Sequence, residues 1–207
     1  MKTYITLLFL LTTLQLCAQS DTLINQTDEN GKKQGQWIYT VENCEMLNGA
    51  MAEIHADYLN DTIHGEYKVY DVQGNLRVNC QVNKGNRVGI GYEYYLSGRI
   101  FRIYYLLADK EAYTLEFNSK GYLFNEYTQR EDKAIGSYKT YKKGKLYIVK
   151  NYNEDGQLDG PFIYFYRNGQ EEHVLLFENG IPVSQKRYAR SGRLKYDSGA
   201  PKNDKDW

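Results

Sequence analysis

Seven glycines stand at near-equal intervals along this 207-residue chain, and their period constrains the fold more than any other feature. Gly49, Gly74, Gly98, Gly121, Gly144, Gly169 and Gly192 are separated by 25, 24, 23, 23, 25 and 23 residues. In six of the seven an apolar residue follows two positions later: Met51, Leu76, Ile100, Leu123, Leu146 and Leu194, with Glu171 the exception. A second glycine keeps the same step at Gly65, Gly89, Gly136 and Gly160. Aromatics follow it, as Tyr67 and Tyr70, Tyr138 and Tyr141, and Phe162 and Phe165. Self-similarity at a fixed period of about 20 to 50 residues marks a repeat protein.

Each copy reads as a β-hairpin. In "LRVNCQVN" (76–83), Leu76, Val78, Cys80 and Val82 alternate with polar residues, the period of a strand with one dry face. Segments such as "RNGQ" (167–170) and "ENGI" (178–181) supply the chain reversals, where glycine accepts the positive φ that hairpin turns require. The three-residue spacing of the aromatics does not fit a period of two. The pair either points to opposite faces or flanks a bulge. The expected fold is all-β: an elongated, single-layer antiparallel meander of about seven tandem hairpins.

The repeat resembles the variant MORN family, whose unit runs Gly-x-aromatic-x-x-Tyr-x-x-x-Gly-x-Leu. Matching copies are "GEYKVYDVQGNL" (65–76), "GSYKTYKKGKL" (136–146, one residue short) and "GPFIYFYRNGQ" (160–170), with partial copies in "GQWIYT" (35–40) and "GRL" (192–194). The resemblance covers residues 28–196 and implies a hairpin array used as a binding or scaffolding surface, with no catalytic residues. Some bacterial members are labelled antitoxin or immunity components. An antitoxin against a cytosolic toxin would not be exported, and this chain begins as exported chains do.

Its start, "MKTYITLLFLLTTLQLCAQS", has a lysine, a short apolar run and a small-residue exit at Ala18, the layout of a signal peptide cleaved before Gln19. The run is short for a membrane span, and no other candidate span follows. Acylation at Cys17 is the alternative, with Leu16 standing where lipoprotein sites carry a small residue. The expected organisation is a signal peptide at 1–18, a linker at 19–27, the array at 28–196 and a disordered polar tail at 197–207. The destination is secretion or the periplasm and cell envelope.

From Gln19 onward, 25 Lys and Arg face 26 Asp and Glu, a balance that argues against a nucleic-acid binder. Leu, Ile, Val and Phe total only 40 there, so the 20 tyrosines must supply much of the apolar area. Cys44 and Cys80 are either a disulfide, permitted after export, or two buried thiols in neighbouring repeats.

No nucleophile–base–orienter set, P-loop or histidine pair at metal-ligand spacing occurs, and no cofactor or metal is expected. Two surfaces are candidates for a partner. "FRIYYLL" (101–107) is apolar on both strand faces, offering Phe101, Ile103 and Tyr105 to a protein. "KTYKKGKLYIVK" (139–150), with Lys139, Lys142 and Lys145, and "QKRYARSGRLK" (185–195) would form a basic stripe for an envelope glycan or anionic polymer. Aromatics outside the repeat pattern, Trp37, Tyr92, Tyr95, Tyr104 and Tyr105, are the candidate binding rings. The expected function is a non-catalytic protein-interaction or scaffold module, with glycan or polyanion binding as the alternative.

Overall fold

The computed structural model describes residues 23–107 and 110–199. The expected signal segment, Cys17 and residues 200–207 of the tail lie outside them. Strands β1 (Gln26–Thr27), β2 (Lys33–Cys44), β3 (Ala50–Leu59), β4 (Thr62–Asp71) and β5 (Leu76–Asn83) come first. They are followed by β6 (Asn86–Tyr94), β7 (Ile100–Leu106), β8 (Glu111–Phe117), β9 (Leu123–Arg130) and β10 (Lys133–Lys142). Last come β11 (Lys145–Tyr152), β12 (Gly160–Phe165), β13 (Glu171–Glu178), β14 (Ile181–Tyr188) and β15 (Leu194–Gly199). Each strand pairs antiparallel with the next, in a single open sheet whose order is the sequence order. The chain is therefore the all-β antiparallel meander its period implied. Fourteen steps at about 4.8 Å carry it across roughly 65 Å.

Two boundaries lie outside the expected array. β1 falls within 19–27, pairing Gln26 with Gln34 and Thr27 with Lys33. β15 runs into 197–207, ending where Gly199 opposes Ser184. Both additions carry polar residues with no hydrophobic alternation; backbone pairing holds them, with the Trp37 indole donating to the Gln26 carbonyl at 3.1 Å and Lys186 pairing with Asp197 at 3.4 Å.

The turn glycine acts as expected. Gly74, at φ 80°, donates its N–H to the Asp71 carbonyl at 2.9 Å, and the Asp71 side chain accepts from the N–H groups of Gln73 and Asn75. The other glycine, as at Gly65, Gly89 and Gly136, sits where the register shifts against the preceding strand. A further shift falls immediately before Tyr70, Tyr141 and Phe165. The aromatic spacing is thus a bulge together with a change of face. Tyr67 packs on the core, whereas Tyr70 meets His55 on the other side at 4.7 Å between centroids. Tyr138 stacks on Tyr127 at 4.7 Å, whereas the Tyr141 hydroxyl donates to Glu126.

One row of register partners crosses the core face from β2 to β15. It runs Tyr39, Ile54, Val69, Val78, Glu93, Arg102, Glu116, Asn125, Thr140, Ile148, Tyr164, His173, Arg187 and Tyr196. The aliphatic core lies at its N-terminal end, where Ala52, Ile54, Ala56, Val69, Val78, Cys80 and Val82 are buried. A single sheet buries such residues only if something lies across it. Here the β2–β3 connection does so through its 3-10 turn (Glu45–Leu47), which contributes Leu47 and sets the Met46 sulfur at 2.9 Å from Arg87 Nη2. β2 thus runs on to Cys44, and the turn that follows it forms the cover.

Cys44 and Cys80 both belong to this core as free, buried thiols, so the disulfide alternative gives way to the unpaired one. Strands β3 and β4 separate β2 from β5, placing those backbones about 14 Å apart along the sheet, beyond disulfide reach.

Candidate binding cleft and basic edge

At the C-terminal end the same face changes character. Strands β11–β15 line a cleft of about 660 Å³ whose walls are rings and cations. The Phe162 and Tyr164 rings stack at 4.9 Å between centroids, Tyr164 stacks on His173 at 6.1 Å, and Tyr147 meets Tyr164 edge-on at 6.4 Å. Lys150 Nζ stands 5.2 Å from the Phe162 centroid. Leu175, Phe177 and Gln185 are buried among the cleft residues, and Tyr196 on the last strand is half exposed. His173 is buried and Nε2 lies 3.0 Å from Gln185 Oε1. Burial pushes its pKa below the ordinary histidine value, and Arg187 opposite adds to the effect. It is therefore a neutral, fixed ring at neutral pH.

The topology assembles a second feature beside the cleft. In an up-and-down meander alternate turns share one edge. Turns β6–β7, β8–β9, β10–β11, β12–β13 and β14–β15 all lie on one side. Residues 95–99, 117–122, 141–146, 165–170 and 188–194 contain eight cations and no Asp or Glu. They are Arg99, Lys120, Lys142, Lys143, Lys145, Arg167, Arg190 and Arg193. The opposite edge of the same half carries Glu131, Asp132, Glu154, Asp155, Asp159 and Glu178 against Lys110 and Lys133.

Successive turns on the basic edge are tied together. Arg99 donates to the Ser119 carbonyl at 2.8 Å, Lys145 to the Arg167 carbonyl at 3.2 Å, and Asn168 to the Arg190 carbonyl at 3.0 Å. The Tyr95 hydroxyl reaches the Phe117 carbonyl and the Tyr166 hydroxyl the Tyr188 carbonyl. Lys142, Lys143, Lys145, Arg167 and Arg190 then surround a pocket of about 400 Å³ that shares Tyr147 and Tyr166 with the cleft. Glu172 lines both, and among the described residues is the only carboxylate in either.

The expected partner residues are divided by the structure. Lys142 and Lys145 lie on the basic edge. Lys139 does not join them: it is in mid-strand on the other face, paired with Glu126 at 2.8 Å. The bulge between Thr140 and Tyr141 separates it from its sequence neighbours. Ile103 sits between Tyr92 and Leu115 in register, and Phe101 packs against Tyr95 at 5.1 Å. Tyr105 is exposed beside Tyr113 and opposite exposed Ile90. Of the rings outside the repeat, Tyr104 is core and Tyr95 ties two turns. Trp37 boxes Lys33 Nζ together with Tyr58, at 4.5 and 4.9 Å from their centroids. The cleft rings Tyr147, Tyr164, Tyr166 and Tyr196 were not singled out from sequence. Their only signal was position: each lies on the last five strands or the turns between them, where aromatics replace aliphatics on the core face.

No family model and no curated protein matches this chain. Among the described residues no helix is long and apolar enough to cross a membrane, and no group of three His, Cys, Asp or Glu side chains could hold a metal ion.

Proposed function

We propose that the chain is an exported, non-catalytic binding module of the MORN type that holds an extended saccharide in the cleft of β11–β15. The observation that carries this is the stacked run Phe162–Tyr164–His173, open toward Tyr196 and flanked by cations. Aromatic faces take the C–H faces of sugar rings, while hydroxyls and guanidinium groups satisfy the sugar hydroxyls. A neutral His173 held by Gln185 serves as a wall rather than as a base with a nucleophile beside it.

Calorimetry of residues 19–207 against oligosaccharides released from a cell envelope tests the reading. We expect binding that weakens roughly tenfold or more in Tyr164→Ala with Tyr196→Ala, as loss of central ring contacts does elsewhere. No saccharide binding by the unaltered chain would overturn it.

A protein-interaction module is the second reading. It is favoured by the exposed apolar residues Val88, Ile90 and Tyr105 on the paired strands β6 and β7. For that reading Tyr105→Glu, and not the cleft variants, should abolish association with a protein partner.

A further inference from the structure

We infer that the saccharide is a linear acidic chain, with one anionic group for each hairpin it crosses, and that the basic edge reads those groups. The inference rests on the cleft as a saccharide site and adds the charge and spacing of the ligand.

Several of the cations elsewhere in the sheet are matched. Arg102 pairs with Glu93 and Glu116, Lys110 with Glu131, Arg130 with Glu111 and Glu154, Lys139 with Glu126, and Lys186 with Asp197. Among the described residues none of the eight edge cations takes part in an ion pair. Clustered charges of one sign without counter-charges cost self-repulsion, and an anionic ligand relieves it. Charged turns also discourage sheets from associating, but either sign would serve that purpose. The segregation of signs to opposite edges is not explained by it.

The edge is also held in shape. Lys142 Nζ lies 5.1 Å from the Tyr147 centroid, and the Arg190 guanidinium 5.6 Å from that of Tyr166. With the turn-to-turn hydrogen bonds, these contacts place the charges before any ligand arrives, which lowers the ordering cost of binding. The clusters Lys142–Lys145, Arg167 and Arg190–Arg193 recur once per hairpin, about 10 Å apart. That spacing fits a polysaccharide carrying one acid per disaccharide. A chain lying across the strands would stack on the cleft rings and turn its acids to this edge, away from the acidic one.

The test compares size-matched probes by calorimetry: a neutral glucan fragment, a hyaluronan fragment with one carboxylate per disaccharide, and a single-stranded DNA oligomer. At about 50 mM salt the hyaluronan fragment should bind roughly tenfold tighter than the glucan, with the gap closing as salt rises. Lys142→Gln with Arg190→Gln should weaken hyaluronan binding to the level of the glucan and so erase the gap, and Glu172→Gln should widen it. Equal binding of glucan and hyaluronan sinks this inference while sparing the cleft reading. DNA binding as tight as hyaluronan sinks it too, since the edge would then be reading charge alone. Failure of every saccharide to bind overturns both.

Discussion

The two ends of the core face are built on one register row and filled in opposite ways. Across β3–β5 the row reads Ile54, Val69, Val78, beneath a cover that includes Leu47. Across β12–β15 it reads Tyr164, His173, Arg187, Tyr196, lining an open cleft. The backbone is the same ladder in both. The repeat therefore specifies pairing and turns, while the residues on the row decide whether a stretch is core or surface. Between the ends lies a third filling. Arg102 bridges Glu93 and Glu116 at 2.9 Å each, and Glu116 accepts from Asn125 and Tyr127 at 2.8 and 3.0 Å. This polar stretch ends the aliphatic core without leaving its charges unmatched, so the C-terminal strands need bury less.

If stability resides mainly in the N-terminal filling, the largest loss should come from its tightest contact. Gly91 lies under the Tyr104 ring, and a methyl group there would fall 2.1 Å from Cζ. Tyr104 is buried, so the ring has nowhere to go. Gly91→Ala should cost about 3 kcal/mol in urea denaturation, as overpacking does. Gly144→Ala, at a turn with φ 73° and open space around it, should cost only about 1 kcal/mol. Equal losses would break the comparison. Arg102→Ala should come between them, at about 2 kcal/mol, because it leaves two half-buried carboxylates facing each other. A second change, Glu116→Gln, should restore part of that loss. Additive losses would show that the bridge is not a unit.

The period of the turn glycines made the hairpins legible, because a residue free to take positive φ, recurring at a fixed spacing, places a chain reversal in every copy. The register did not follow from it. Glu93, Arg102 and Glu116 lie in three different strands, and only the pairing across bulges aligns them. The basic stripe was half legible. "KKGK" (142–145) belongs to a turn and so to an edge, but Lys139, three residues earlier, belongs to a strand face. Arg99 and Lys120 could not be assigned to the stripe from sequence, because each is a single cation within its turn. Their alignment with Lys142 and Arg190 follows from alternate turns sharing an edge, a property of the whole meander. Gly35 and Gly49 stand 14 residues apart where Gly65 and Gly74 stand 9 apart, so extra residues before Gly49 were legible, though length alone could not say which way they fold.

The smallest effect separates the fillings by pH. Burial alone would raise the Glu116 carboxyl, but hydrogen bonds from Asn125, Arg102 and Tyr127 outweigh it and hold the pKa below 4.5. Its contribution is complete above pH 4.5 and is lost as pH falls through the lowered value. His173 acts earlier. Burial holds its pKa below 6.5, with Arg187 adding to the shift and Gln185 and Glu172 opposing it. The unfolded chain therefore takes up this proton first, and stability declines as pH falls below 6.5 toward the lowered value. Urea midpoints followed from about pH 8 down to about pH 5 should show a shallow decline that His173→Gln removes. Glu116→Gln should leave that decline in place and flatten the steeper one below it. A decline above pH 5 that survives His173→Gln would mean that the cleft residues titrate alike in folded and unfolded chains, and that the C-terminal filling is no more buried than a surface.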